Sequence, residues 1–142
     1  MPDRHLHSGA EILGFGAAQT LIALEERGLS WQKAAIAAGL KPEKPDAEEF
    51  IPLEHSIALC EIAAKMADDA AFGVKVGASA PIGIGAVFEY VLLSAPSLGE
   101  ALQNWQRFEN LPCNAIQVSF EKEAEWAYLS WQFPDSFGPR SQ

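Results

Sequence analysis

The sequence has few basic residues and no long apolar run, and each shortage excludes a class of protein. Ten lysines and arginines stand against nineteen aspartates and glutamates, which gives a formal net charge of −9. Proteins bind nucleic acid largely by neutralising phosphates with basic side chains, so a domain this acidic is unsuited to contact DNA itself. No stretch approaches the roughly 18–20 apolar residues that span a bilayer, so we expect no membrane partner.

Cysteine is equally scarce, since Cys60 and Cys113 are the only two and have no Cys-x-x-Cys spacing. We predict both to be small, half-buried or buried apolar residues without a disulfide bond. The polar N-terminal segment, residues 1–11, lacks the apolar core of a secretory signal. For a chain of 142 residues these features predict one cytoplasmic domain, large enough to bury a core.

Signatures of metal, nucleotide and nucleophilic chemistry are also missing. The sequence contains no HExxH, paired Cys-x-x-Cys, G-x-S-x-G, Walker loop or dinucleotide fingerprint. His5 and His7 form a His-x-His near the N-terminus without further ligands, and His55 is predicted to be an exposed polar residue. We therefore predict no metal site, no cofactor and no catalytic residue.

Helical periodicity dominates the first half of the chain. An S-x-x-E start signal at residues 8–11 precedes the first predicted helix, although Gly14 and Gly16 weaken its first turn and favour a later start. A proline-containing surface loop is predicted over residues 40–50. The predicted helices are residues 12–27 ended by Gly28, residues 31–38 capped by Ser30 and ended by Gly39, and residues 51–67 ended by Asp68.

The segment Ser94–Leu102 contains a helix stop followed by a helix start. Pro96 disfavours helical geometry at the residue before it, so an apolar helix should end there. Ser97 and Glu100 then form an S-x-x-E capping box, and apolar residues follow at helical spacing through Trp105. The pattern predicts two helices with a sharp junction.

The period changes to two near the C-terminus. Residues 116–120 and 127–133 alternate apolar and polar side chains around a charged turn at residues 121–125. Trp126 and Tyr128 fall on the outward face and could serve in self-association. The predicted fold class is α+β, a cluster of four to five helices followed by an antiparallel β-hairpin.

Residues 72–111 contain eleven residues in a characteristic order and spacing: Phe72, Gly73, Gly77, Gly85, Ser94, Leu98, Glu100, Ala101, Leu102, Arg107 and Phe108. This pattern resembles the N-terminal sensor region, the arabinose-binding-like domain, of AraC-type bacterial transcription regulators. Two departures are Ser97, where the family usually has threonine, and a shifted glycine pattern over residues 82–87. The similarity extends more weakly to residues 21–40 and 51–67.

This resemblance implies a function in effector sensing rather than catalysis. It implies a small-molecule effector of unknown identity, a possible homodimer, and DNA contact only through a C-terminal helix-turn-helix domain that the sequence lacks. We interpret residues 1–142 as a single effector-sensing domain and a fragment. Such a domain works by population shift, in which a ligand favours the conformation that it binds better.

Six side chains are predicted to contact the effector, because small-molecule pockets combine aromatic walls with a few polar groups. Glu89 could instead be an ordinary helix-surface residue, and Arg107 a surface ion pair. The predicted ligand residues are Phe15, Phe88, Glu89, Tyr90, Trp105 and Arg107.

Two alternatives from other classes stay open. An enzyme with an unrecognised site predicts a pocket that contains Glu89 or Cys113. A stand-alone protein-protein interaction or ligand-binding module has no DNA role. Its interaction form predicts an exposed aromatic patch and no closed cavity among Phe15, Phe88, Tyr90 and Trp105.

Overall fold

The computed structural model describes residues 9–133, and their secondary structure confirms the predicted α+β class. Six helices occur in this range instead of four to five, because the glycine-containing segment from Phe72 to Ser79 is also helical. The elements in chain order are β1 Glu11–Leu13, α1 Phe15–Glu26, α2 Trp31–Ala37, β2 Phe50–Pro52, α3 Leu53–Met66, α4 Phe72–Ser79, α5 Ala86–Leu93, α6 Leu98–Arg107, β3 Gln117–Glu123 and β4 Trp126–Gln132.

The glycine terminators of the first two helices are confirmed. Gly28 has a φ of +71° and donates its N–H to the Glu25 carbonyl at 2.9 Å, while Leu29 donates to Leu24 at 2.9 Å. This pair of bonds is a Schellman motif, which satisfies the last carbonyls of α1. Gly39 ends α2 in the same way at a φ of +83°. The Ser30 side chain occupies the N-cap position of α2 without making a capping hydrogen bond.

The first helix begins later than residue 12, as Gly14 and Gly16 predict, and the S-x-x-E pattern at residues 8–11 does not begin it. Ser8 lies outside the described residues, and Glu11 belongs to β1 rather than to a helical turn. Helix α1 begins at Phe15, because β1 pairs with β2 and is held in an extended conformation. The same pairing draws Ile51 and Pro52 into β2, so α3 begins at Leu53, two residues later than predicted.

A continuous apolar core forms between α1, α2, α3, α4 and β2, and we call residues 9–80 the helical region. Leu21, Leu24, Leu59 and Phe72 are fully buried in it. Cys60 is exposed, contrary to prediction, because α3 turns Leu59 and Ala63 toward the core instead. No helix within residues 9–133 is long and apolar enough to cross a membrane.

Residues 81–133, which we call the hairpin region, contain α5, α6 and the β3–β4 hairpin. Helix α5 ends at Leu93, before Pro96, as predicted. The Ser97 hydroxyl accepts the Glu100 N–H at 3.2 Å, so the serine half of the predicted capping box is confirmed. Both helix boundaries therefore follow from local sequence.

The hairpin has the predicted faces but a shorter turn. Strands β3 and β4 pair up to Glu123 opposite Trp126, so the turn contains only Ala124 and Glu125. Ala124 adopts a φ of +52°. Two-residue hairpin turns require a positive φ at this position, where glycine is the usual residue. Residues directly opposite share a face, so Val118 and Trp131 lie on the apolar face.

Strand β1 joins the two regions. Ile12 forms an isolated antiparallel bridge with Cys113, and the Leu13 N–H donates to the Pro112 carbonyl at 2.8 Å. The Asn114 side-chain oxygen accepts the Glu11 N–H at 2.8 Å. Cys113 is 2% exposed at this junction, as predicted.

Candidate functional site

The sequence-predicted ligand residues do not meet in one place. Phe88 and Trp105 are in contact between α5 and α6, with ring centroids 6.0 Å apart and planes at 71°. Tyr90, on the same helix as Phe88, is 77% exposed. Phe15 begins α1 in the helical region and is half-buried.

Arg107, at the end of α6, lies close to the ring of the next residue. Its guanidinium carbon is 5.3 Å from the centre of the Phe108 ring, and the side chain is exposed. That the six predicted residues bind an effector stays a prediction.

Glu89 has a structural use that neither sequence interpretation included. Its carboxylate accepts the Gly83 N–H at 2.6 Å and the Gly85 N–H at 2.8 Å, which fixes the loop before α5. Gly83 has a φ of +103°, and a Cβ on Gly85 would lie 2.8 Å from the Glu89 Cβ. The two glycines are therefore required by loop geometry, and both carboxylate oxygens of Glu89 are engaged locally.

A different part of the helical region forms a small cleft of about 220 Å³, which we call the 39–55 cleft. It lies between the end of α2, the loop over residues 40–49, β2 and the first turn of α3. Its apolar lining residues are Leu40, Pro45, Phe50, Ile51 and Pro52, and the others are Gly39, Lys41, Glu43, Glu49 and His55.

Local structure explains why these side chains reach the cleft. In β2, Ile51 is buried toward the core, while its neighbours Phe50 and Pro52 are exposed, as strand alternation requires. A Cβ on Gly39 would lie 3.0 Å from the His55 ring, so the imidazole packs on a glycine backbone. The His55 side chain is only 33% exposed, which corrects the prediction of an exposed residue.

Sequence reasoning missed this cleft because its parts are remote in the chain. A surface loop was predicted over residues 40–50, and the structure confirms it up to residue 49 but places Phe50 in β2. The available signal was the C-terminal glycine of α2, followed closely by two prolines and an aromatic residue at the start of β2. His55 lies beside Gly39 because α2 packs on α3, and no local sequence pattern indicates this contact.

The cleft carries charges of both signs. Lys41 Nζ lies 3.7 Å from Glu43 Oε1, and His55 Nε2 lies 3.8 Å from Glu54 Oε1 at the rim. Glu49 has no ion-pair or hydrogen-bond partner for its carboxylate among the residues that the structure describes. The site can therefore offer apolar contacts, one ammonium group, an imidazole and carboxylates to a bound molecule.

A wider and more open depression of about 750 Å³ lies between α3 and α4. Asp69 on its margin accepts hydrogen bonds from Lys75 at 2.7 Å, Arg27 at 3.2 Å and the Ala71 N–H at 3.1 Å. The Lys75 hydrogen bond lowers the pKa of Asp69, burial opposes it, and the other two bonds lower the pKa further. Asp69 thus ties the end of α1 to the start of α4.

Within residues 9–133 no cluster of three or more His, Cys, Asp or Glu side chains is placed to hold a metal ion. The His5 and His7 pair lies outside that range.

Comparison with known proteins gives one result. No curated protein matches the chain. The model of a protein family described as the arabinose-binding domain of AraC transcription regulator, N-term, matches residues 28–142. The match contains the 39–55 cleft and all of the hairpin region, and it covers well over half of the sequence. The chain therefore belongs to the family of N-terminal arabinose-binding domains of AraC transcription regulators.

Proposed function

We propose that the chain senses a small-molecule effector for an AraC-type transcription regulator and that the effector binds in the 39–55 cleft. The family match supports the sensing role. The cleft supports the location, because it combines apolar walls with a few polar groups, as ligand sites do. At about 220 Å³ it is smaller than the usual range for drug-sized ligands, which favours a small metabolite.

The observation that carries the proposal is a hydrogen-bonded connection from the cleft to the hairpin region. Phe50 lines the cleft and pairs with Leu13 of β1. Leu13 in turn donates to Pro112, at the entry to the hairpin region. A ligand that moves β2 would thereby displace β1 and the segment over residues 112–114. The effector would then bind more tightly to one arrangement of the hairpin region than to the other, and would shift the population toward that arrangement.

DNA contact belongs, in this proposal, to a separate helix-turn-helix domain. The net charge of −9 opposes direct binding to phosphates. The proposal includes no catalytic step. Cys113 is buried against β1, and the carboxylate of Glu89 is occupied by two amides.

The exposed aromatic side chains of β4 favour self-association as a second activity. Trp126 and Tyr128 are 71% and 51% exposed, and Trp126–Gln132 contains no charged residue. An uncharged edge strand is a template for pairing with another strand. We expect analytical ultracentrifugation to detect a dimer that Tyr128→Glu weakens and Tyr90→Glu, an equally drastic change at an exposed site, does not. A monomer at all concentrations would contradict this.

The sensing proposal is tested by a metabolite panel and amide hydrogen exchange. A true effector should raise the melting temperature of the chain in a saturable manner. At saturation it should change exchange in residues 39–55 and also in residues 112–133. A ligand that protects the cleft and leaves residues 112–133 unaffected would refute sensing.

A variant at the junction isolates the coupling. Asn114→Ala removes the side-chain bond to Glu11, so the distant exchange change should shrink while ligand affinity stays the same. Asn110→Ala, an exposed asparagine in the turn after α6, serves as the matched control. Equal effects of the two substitutions would count against the β2–β1 connection.

A further inference from the structure

The charges of the 39–55 cleft do not balance. Among the lining residues, Lys41 carries an ammonium group and Glu43 and Glu49 carry carboxylates. The Lys41–Glu43 pair neutralises one of these carboxylates at 3.7 Å. The lining residues other than His55 therefore carry one negative charge in excess.

Lys44, the chain neighbour of the lining residues Glu43 and Pro45, is not free to compensate that charge. Lys44 forms an ion pair with Glu25 and lies 4.9 Å from the centre of the Trp31 ring. These contacts hold it toward α1 and α2. The whole chain has a net charge of −9, and its electrostatic field further attracts cations to the cleft.

The apolar lining suits the body of such a cation. Phe50 is 37% exposed at the cleft, and an accessible aromatic face attracts an ammonium or guanidinium group. Leu40 and Pro52 provide further apolar contact. At about 30 Å³ per water molecule, 220 Å³ has room for about seven waters, the space of a short aliphatic chain with one head group.

We propose that the 39–55 cleft selects a small organic cation, a primary amine or guanidinium on a short aliphatic chain, with Glu49 as its charge partner. This inference rests on the proposed function for the choice of cleft. An anionic ligand of the same size would meet the excess negative charge. A neutral polyol would leave that charge without a partner.

The test is a titration of the whole chain with matched probes. Amide NMR shifts are followed while n-butylammonium or n-butylguanidinium is added, and separately butyrate, 1-butanol or arabinose. The cations should produce saturable shifts in residues 39–41 and 49–55, weakened by added salt. Butyrate and butanol should leave these residues unchanged up to the same concentration.

Two neighbouring substitutions separate a specific contact from general attraction. Glu49→Gln should weaken cation binding about tenfold or more, the loss of a single charged hydrogen bond. Glu48→Gln makes the same change in net charge one residue away, outside the cleft lining, and should alter affinity less than about twofold. Equal losses in both variants would overturn the assignment of Glu49.

The remaining outcomes are also decisive. Shifts caused by butyrate or arabinose and not by the amines would overturn the cationic class while leaving the sensing proposal intact. An absence of shifts in the cleft with every probe would overturn the site. Specific cation binding without any change in exchange over residues 112–133 would support this inference and refute the sensing role instead.

Discussion

The helical region and the hairpin region contain similar apolar residues but bury them to very different extents. In residues 9–80, the buried cluster draws on four helices and β2 and includes the fully buried Phe72. In residues 81–133, the large side chains Phe88 and Val118 are buried at 8% and 6% exposure. Tyr90, Leu98 and Trp126 there are all more than 70% exposed.

The difference follows from how many layers each region has. A helix or sheet is stable when its apolar face is covered by another element. In the helical region α1 is packed against α2, α3 and α4. In the hairpin region α5 packs on α6 and α6 packs on β3, and within residues 9–133 the one strand paired with β4 is β3. The hairpin region should therefore open locally at lower free energy, as segments that respond to ligands do.

Truncation of the buried phenylalanine in each region should show the largest contrast. Phe72→Ala removes a fully buried ring, 4.7 Å from the Arg27 guanidinium, and should lower the free energy of unfolding by about 3–5 kcal/mol. Phe88→Ala should cost at least about 1 kcal/mol less, because its surroundings are more open. Urea denaturation followed by circular dichroism measures both.

The control for this pair is Val74→Ala, on an exposed position of α4 near Phe72, which should change stability by less than about 0.5 kcal/mol. If Phe88→Ala lowers the free energy of unfolding as much as Phe72→Ala does, the two regions share one cooperative core and do not differ in stability.

Glycine substitutions should act in opposite directions in the two regions. Gly85→Ala places a Cβ 2.8 Å from the Glu89 Cβ and should cost about 1–3 kcal/mol through the displaced loop. Gly77→Ala in α4 meets no atom within 4 Å and should stabilise the chain by up to about 1 kcal/mol. Thermal denaturation of the two variants gives the signs, and a stabilising Gly85→Ala would show that Glu89 does not fix this loop.

The smallest effect is expected at Asp69, where the helical region is held by surface charges. Since its pKa is lowered in the folded chain, its carboxylate stabilises the fold above the unfolded value near pH 3.9. This stabilisation is lost as the pH falls through the folded-state pKa. The difference in unfolding free energy between the parent chain and Asp69→Asn should be largest near neutral pH and vanish in acid.

The neighbour Asp68→Asn provides the control, because asparagine also tolerates the φ of +48° at that position. A pH-independent difference for Asp69→Asn would mean that the lost contribution is not that of a charged carboxylate.

Features set by neighbouring residues could be predicted, and features set by remote residues could not. Gly28, Gly39 and Ser97 end or begin helices as predicted, because each satisfies backbone groups within its own turn. Strand β1 could not be predicted, since three residues carry no periodicity and their partner Ile51 is far along the chain. The 39–55 cleft was missed for the same reason.

The sequence by itself determined the α+β class, the junction at Pro96, the two faces of the hairpin and the family. Each depends on residues within a turn, on a period of two, or on order and spacing along the chain. Only the tertiary structure decided that Cys60 is exposed, that Glu89 holds its own loop, and that His55 packs on Gly39 beside Phe50. These depend on how whole helices orient against one another, which short-range backbone preferences do not specify.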